Sequence, residues 1–279
     1  MRNLSDFWRR YKKNRAGVLG LALVLFFVTL GLLAPVIAPY DPWQVQVGKP
    51  FSPPSAEHWM GADHLGRDLY SQVLYGARVP LLVGTLAALF STLIGIVVGA
   101  ASGYFSGKLD DALMRVTELF MMIPSFFLLI VLVTIFERSI WYLVFVIGIT
   151  GWPGTARLVR GEFLSLKEMP FVEAARSIGA SHRHIIFREI LPNAMPPIVV
   201  NASLGIGATI ILETGLSFLG LGDPNVISWG NILANAQIYI RLGWHASVFT
   251  GLAIFLTVLG LNLLGDGLND ALNPRLKER

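Results

Sequence analysis

The 279-residue chain is 54% hydrophobic, only 14% of its residues are charged, and its mean hydropathy of +0.60 lies outside the range of an ordinary soluble domain. It has no cysteine, which excludes disulfides, thiolate metal sites and cysteine nucleophiles together. Its net charge of +4 is spread between apolar segments, so it reads as membrane topology and not as a nucleic-acid-binding surface.

The first apolar run, residues 17–38, follows Arg9, Arg10, Lys12, Lys13 and Arg15. That basic start resembles a signal peptide, but a signal's apolar region is about 7–15 residues. This run is near the ~20 that a helix needs to cross a bilayer. Five more runs follow, at 79–101, 116–136, 140–156, 194–212 and 246–265, the fourth span of the six being slightly short. They are far longer than barrel strands and show no alternation of period two, so the spans are predicted as helices. In the second, Gly95, Gly99 and Gly103 recur every four residues. Such a ridge lets a neighbouring helix approach closely, although glycine is also simply common in membrane helices. With both ends in the cytoplasm, the Lys and Arg residues divide 17 inside to 5 outside, the bias that fixes orientation. No stretch is left for a separate globular core. Residues 1–78 form an N-terminal segment, first span and external loop, and 79–279 a core of five spans.

Between the fourth and fifth spans, at about 157–193, lies an internal loop several times longer than a plain connection of roughly 2–8 residues. Pro170 suits a first helical position and Gly179 the left-handed residue that closes a helix. Ser181 then caps a second short helix running from His182 towards Leu191, which Pro192 and Asn193 stop, Asn193 capping the fifth span. Phe171, Ala174, Ala175 and Ile178 fall on one helical face, a small apolar ridge that fits a groove on another protein. The alternative, a helix lying on lipid headgroups, calls for bulky side chains that Ala174 and Ala175 do not supply.

Among polar residues, Glu118 stands three positions after Arg115 as a boundary pair, and Pro124 can kink the third span. Glu213 ends the fifth span, where it can meet a substrate's ammonium group or stay solvated. His58, His64, Glu57, Asp63 and Asp68 sit in a turn-rich external loop whose metal reading is the weaker one. Residues 103–108 have the outline of a phosphate loop but one residue too few between the glycines, and Leu109 stands where Ser or Thr should follow. No hydrolase motif occurs, so the chain is read as a non-enzyme.

At Glu173-Ala174-Ala175, Gly179 and Ile190-Leu191-Pro192-Asn193 the chain resembles the inner-membrane permeases of binding-protein-dependent ABC transporters. The segments His58-Trp59-Met60-Gly61-Ala62-Asp63-His64-Leu65-Gly66-Arg67-Asp68, Tyr75-Gly76-Ala77-Arg78, Leu216-Ser217-Phe218-Leu219-Gly220-Leu221-Gly222 with Trp229-Gly230-Asn231, and the ending from Gly265 to Pro274, are similar to the C-type permease of dipeptide, oligopeptide and nickel importers. The stretch from Asp223 to Ser228 departs from the proline- and threonine-rich pattern of that branch.

The resemblance implies an all-α, six-span permease of the type I ABC importer fold, with both termini cytoplasmic, in the cytoplasmic membrane of a bacterium or archaeon. It implies that Phe171, Glu173, Ala174, Ala175, Gly179, Ala180, Leu191 and Pro192 couple to an ATPase. Ser217, Phe218, Leu219, Gly220, Leu221, Gly222 and Trp229 would form an external gate or binding-protein contact, and Glu213 would lie on the substrate path. Catalytic and metal residues are none. ATP and Mg would be held by two cytoplasmic ATPase subunits, beside a second, related permease and an extracytoplasmic solute-binding protein. Peptide is the first reading of the cargo, and chelated nickel the alternative, since the nickel branch shares these motifs. A self-sufficient secondary transporter would show internal repeats and midplane charges, and neither is discernible.

Overall fold

The computed structural model describes residues 4–135 and 137–272. Phe136, predicted to end the third span, and Arg2, Asn273, Pro274, Arg275, Lys277 and Arg279 lie outside the described residues. In chain order the helices are α1 (Leu4–Tyr11), α2 (Arg15–Ile37), α3 (Leu69–Gly76), α4 (Arg78–Phe105), α5 (Gly107–Met122), α6 (Ser125–Ile135), α7 (Ile140–Leu166), α8 (Pro170–Ser177), α9 (His182–His184), a π-helical segment (Ile185–Ile190), α10 (Leu191–Phe218), α11 (Trp229–Ile238) and α12 (Trp244–Leu272). Among the described residues five helical stretches are long and apolar enough to cross a membrane, and six if α5 and α6 count as one broken span.

Two close seams organise the bundle. On α4, a Cβ added at Gly95 would stand 2.6 Å from Thr155 Cβ, and one at Gly103 2.6 Å from Phe163 Cβ, so the absent side chains let α7 lie directly against α4. The α2–α12 seam works the same way and was not foreseen: a Cβ at Gly17 would stand 2.7 Å from Gly267 Cα. Helix α10 joins the pairs, touching α4 and α7 as well as α12. Exposed Leu25 and Phe26 on α2, Leu89 and Leu93 on α4 and Phe255 on α12 give the apolar girdle a bilayer needs. The amide of Asn14 donates to Asp270 at 2.6 Å, and Tyr104, near the end of α4, bonds His182. Both described ends of the chain therefore share one end of the bundle with α8.

The third span is kinked at the proline that allowed it: α5 and α6 meet at 85°, at Ile123 and Pro124, because proline has no N–H for the helical ladder and forces the residue before it out of helical geometry. Two expectations are corrected. The fourth span is not short, since α7 runs on from Ala156 to Leu166. Pro192 and Asn193 do not stop a helix. The backbone passes through them into α10, with Leu191 N–H bonding Ile186 O in the wider π register and the Asn193 amide donating to Glu189 O at 2.7 Å, so Asn193 is inside the helix and not its cap.

Candidate coupling surface and outer loops

Helix α8 is made by its punctuation. Met169 is extended, Pro170 takes the first helical position, and Gly179 lies at φ +77°. There the N–H groups of Gly179 and Ala180 bond Arg176 O and Ala175 O, both at 3.0 Å, closing the helix as a Schellman motif. Ser181 Oγ then accepts the N–H of His184 at 3.4 Å to open the next turn. Local sequence thus turns the chain sharply twice within a few residues.

The predicted apolar ridge is split by the structure. Val172 and Ala175 are buried with Phe163 and Val159 of α7, Tyr104 of α4, Ile185 and Ile190 of the π segment and Ala194 and Ile198 of α10. Phe171, Ala174 and Ile178 stay outside, Ile178 at 86% exposure. Ala175 therefore belongs to the anchoring face, because the i, i+3 spacing from Val172 turns both inward. Glu173, Gly179 and Pro192 are exposed, Ala180 is half-buried, and Leu191 packs against the edge of the core. Tyr104 Oη and His182 Nδ1, at 2.8 Å, tie the start of α9 to α4.

At the opposite end the predicted gate is likewise divided. Trp229 is fully buried, its indole N–H donating to Val73 O at 2.9 Å and its ring edge-on to Phe27. Ser217 is 1% exposed and donates to Glu213 at 2.6 Å. Gly222 and Gly230 pack on Ser217, the Cβ of Gly230 being 2.5 Å from Ser217 Cβ if it existed. Leu219 and Gly220 are exposed, the latter at φ +77°, while Phe218 and Leu221 are half-buried. Glu213 is wholly enclosed, against the solvated or substrate-facing position considered for it. Its carboxylate is turned to Ser217 and Thr214 within the same helix.

The first loop folds on itself. His58 Nδ1 and Asp68 lie 2.9 Å apart, and Asp63 takes Arg67 at 2.7 Å and Gln72 at 3.1 Å. His64 stacks on Tyr239, so His58 and His64 have separate partners. His245, at the start of α12, reaches Ala62 O at 3.0 Å and fastens the loop to the bundle. Between this loop and Gly220–Gly222 is an open hollow of about 300 Å3 whose wall includes Trp43, Arg67, Arg138, Asn231 and Asn235.

Residues 91–278 match the family described as the binding-protein-dependent transport system inner membrane component, and residues 3–54 match the N-terminal TM domain of oligopeptide transport permease C. The chain belongs to the binding-protein-dependent permeases. The dipeptide transport system permease protein DppC of Bacillus subtilis is 38% identical over 275 residues, covering 98% of this chain and 86% of that protein. The glutathione transport system permease protein GsiD of Pectobacterium atrosepticum is 40% identical over 274 residues, covering 98% and 91%. In fold, the permease is similar to a chain of the MetNI methionine ABC transporter in an inward-facing conformation, with a TM-score of 0.60 at 19% identity over 74% of this chain and 98% of that one. This is the type I ABC importer permease fold, and the chain lies in the peptide-transport ABC permease branch of its family.

Two groups of this permease escaped the sequence reading. Asp110 of α5 takes Arg160 of α7 in a bidentate pair, at 2.6 and 2.7 Å, and also accepts the Ser102 hydroxyl of α4. Lys167 reaches Ser106 at 2.5 Å beside them. Together they brace three helices under α8. Two adjacent acids at the start of α5, Asp110 and Asp111, were visible in the sequence, but nothing there marks a partner 50 residues away. The Tyr104–His182 bond escaped for the same reason.

Proposed function

We propose that this permease is one half of the translocation pore of an ATP-driven importer of dipeptides or oligopeptides, and that α8 is the element an ATPase subunit grips. The division of α8 carries the reading. Val172 and Ala175 are anchored in a core shared with α4, α7 and α10, while Phe171, Ala174 and Ile178 stand free to be covered. Covering Ile178 alone is worth about 1.5–3 kcal/mol, and a close-packed core transmits displacement with little slack.

The dipeptide and glutathione permeases among the relatives support the cargo class. Two cytoplasmic ATPases hold ATP and Mg, a second, related permease completes the pore, and a solute-binding protein delivers cargo to the loops at 40–79 and 215–245. The 17 to 5 distribution of Lys and Arg supports cytoplasmic termini and a cytoplasmic α8. Approach of the ATPases then moves α8, and rocking of the bundle alternates access across the membrane.

The test is uptake by the complete complex in vesicles, with its binding protein, of labelled dipeptide, glutathione and nickel. ATP-dependent peptide uptake is expected; uptake of nickel alone, or peptide uptake indifferent to ATP, overturns the proposal. Docking is read separately, by cross-linking Ile178→Cys to the ATPase.

A further inference from the structure

We infer that the cavity where α4, α7 and α10 meet at mid-bundle is a resting point for the amide backbone of a passing peptide, an inference that rests on the peptide-import reading above. The cavity measures about 380 Å3, within the roughly 300–1,000 Å3 of small-molecule pockets. Ser91 and Thr92 line it from α4, Gly154 and Thr155 from α7, and Asn201 and Gly205 from α10. Each helix reaches it at its own midpoint, which falls between Ser91 and Thr92, at Pro153, and between Leu204 and Gly205. The cavity thus lies at mid-helix, between the two ends of the bundle.

Its wall differs from the other surfaces of the bundle by the polar groups and open glycines set among its apolar side chains. The lipid-facing girdle exposes Leu25, Phe26, Leu89 and Phe255, all bulky and apolar. At the seams glycine is filled by a neighbour's atoms, whereas a Cβ at Gly154 or Gly205 would meet nothing within 4 Å. Thr92 lines the cavity and is 7% exposed, and among the described residues its hydroxyl has no protein hydrogen-bond partner. A hydroxyl that opens onto the cavity without a protein partner is available to a ligand. Asn201 gives one N–H to Thr155 at 3.0 Å and keeps its Oδ1 and second N–H.

Ile147, Leu204 and Leu212 make much of the wall apolar, but the polar groups set into it both donate and accept, and no lining residue is charged. That chemistry complements the C=O and N–H common to every peptide and ignores the charge of its side chains. Neutral, dispersed partners also release what they hold, as conduction through a path requires.

The chain has no cysteine, so Gly205→Cys or Gly154→Cys gives the subunit a single thiol inside the cavity. In the complete complex, dipeptide at about ten times its Kd is expected to slow labelling by a small thiol reagent about tenfold, while Val97→Cys on the outer face of α4 is unaffected. Labelling that cargo does not change overturns the inference. So does a thiol that reacts in the isolated subunit but cross-links to the second permease in the complex, because a protein helix then fills the space. Gly205→Trp should lower peptide uptake about tenfold or more with complex yield and ATP hydrolysis retained; unchanged uptake overturns the inference. A parent complex that takes up no peptide removes the peptide-import reading itself, whereas normal peptide uptake with an indifferent cavity removes only this one.

Discussion

On α4, Gly95, Gly99 and Gly103 lie against the atoms of α7, while Gly154 and Gly205 face open volume. The first group lets two helices touch, and the second keeps them from filling a space. The amino acid is the same in both, and the physical consequence of adding a side chain is opposite: collision in one place, occupancy in the other. The difference gives a rule for this permease. Glycine at a spacing of four on a helix that has a partner is a packing surface, and single glycines on a polar helix face mark room for something else. Gly179 is a third kind, because a Cβ there would meet nothing and what matters is its φ of +77°.

Gly99→Leu tests the seam and carries the largest expected effect. A Cβ alone would stand 2.7 Å from Val159 Cβ and 3.0 Å from Arg160 N, and backbone cannot yield as a flexible side chain can. Overpacking of this kind costs about 1–3 kcal/mol or more. The variant should be lost from the membrane or melt well below the parent in detergent, while Gly154→Leu survives. Equal melting of Gly99→Leu and parent would break the comparison.

Arg160 lies on the other side of the same seam, and Arg160→Met leaves Asp110 with the Ser102 hydroxyl and the more distant Lys167 but no hydrogen-bonded cation. Removing one partner of a fully buried pair costs about 3–5 kcal/mol. With Arg160 a third exposed, about 1–3 kcal/mol is expected, measured as a lower Tm of the purified subunit. Combining it with Asp110→Leu should recover part of the loss, since two apolar groups leave no orphan charge. No recovery would mean that Arg160 acts through packing on the seam instead.

For Gly179→Val the expected cost to the fold is smaller, about 1–2 kcal/mol for a left-handed residue with a Cβ. Its effect falls on α8, whose end loses the Ala180–Ala175 and Gly179–Arg176 bonds. ATP hydrolysis by the complex should continue while uptake falls. Gly179→Asn, which tolerates the left-handed region, should keep both. Full uptake in the valine variant would count against α8 as the coupling element.

The features legible in the sequence were those set by neighbours along the chain. Pro170, Gly179 and Ser181 announce α8 and the turn after it, and the four-residue glycine period announces the α4 seam. What was not legible depends on partners far away. Ala175 turns inward because Phe163 and Tyr104 form a floor beneath it, and Asp110 finds Arg160 only once α5 and α7 are side by side. Pro192 was misjudged for a related reason. Its local rule is to end a helix, but the π register of residues 185–190 and the Asn193 side chain re-satisfy the backbone, and the helix continues. Ser217 and Trp229 were grouped with the exposed Leu219 by the resemblance, although Ser217 turns inward on α10 and Trp229 is held inside by its bond to Val73 O.

Gly154→Ala is the smallest change and the one that sharpens the comparison most. If the space beside Gly154 is open, a methyl group collides with nothing and removes some backbone freedom from the unfolded chain, stabilising the subunit by about 0.4–1 kcal/mol. A slightly raised Tm of the isolated subunit is expected, with near-normal uptake, since one methyl leaves most of the cavity free. The same measurement on the assembled complex separates two kinds of open space. A Tm raised in both states means the volume stays empty for cargo. A Tm raised in the isolated subunit but lowered in the complex means that a neighbouring helix closes on Gly154, which would then belong with Gly95, Gly99 and Gly103 as a packing glycine whose partner is another chain.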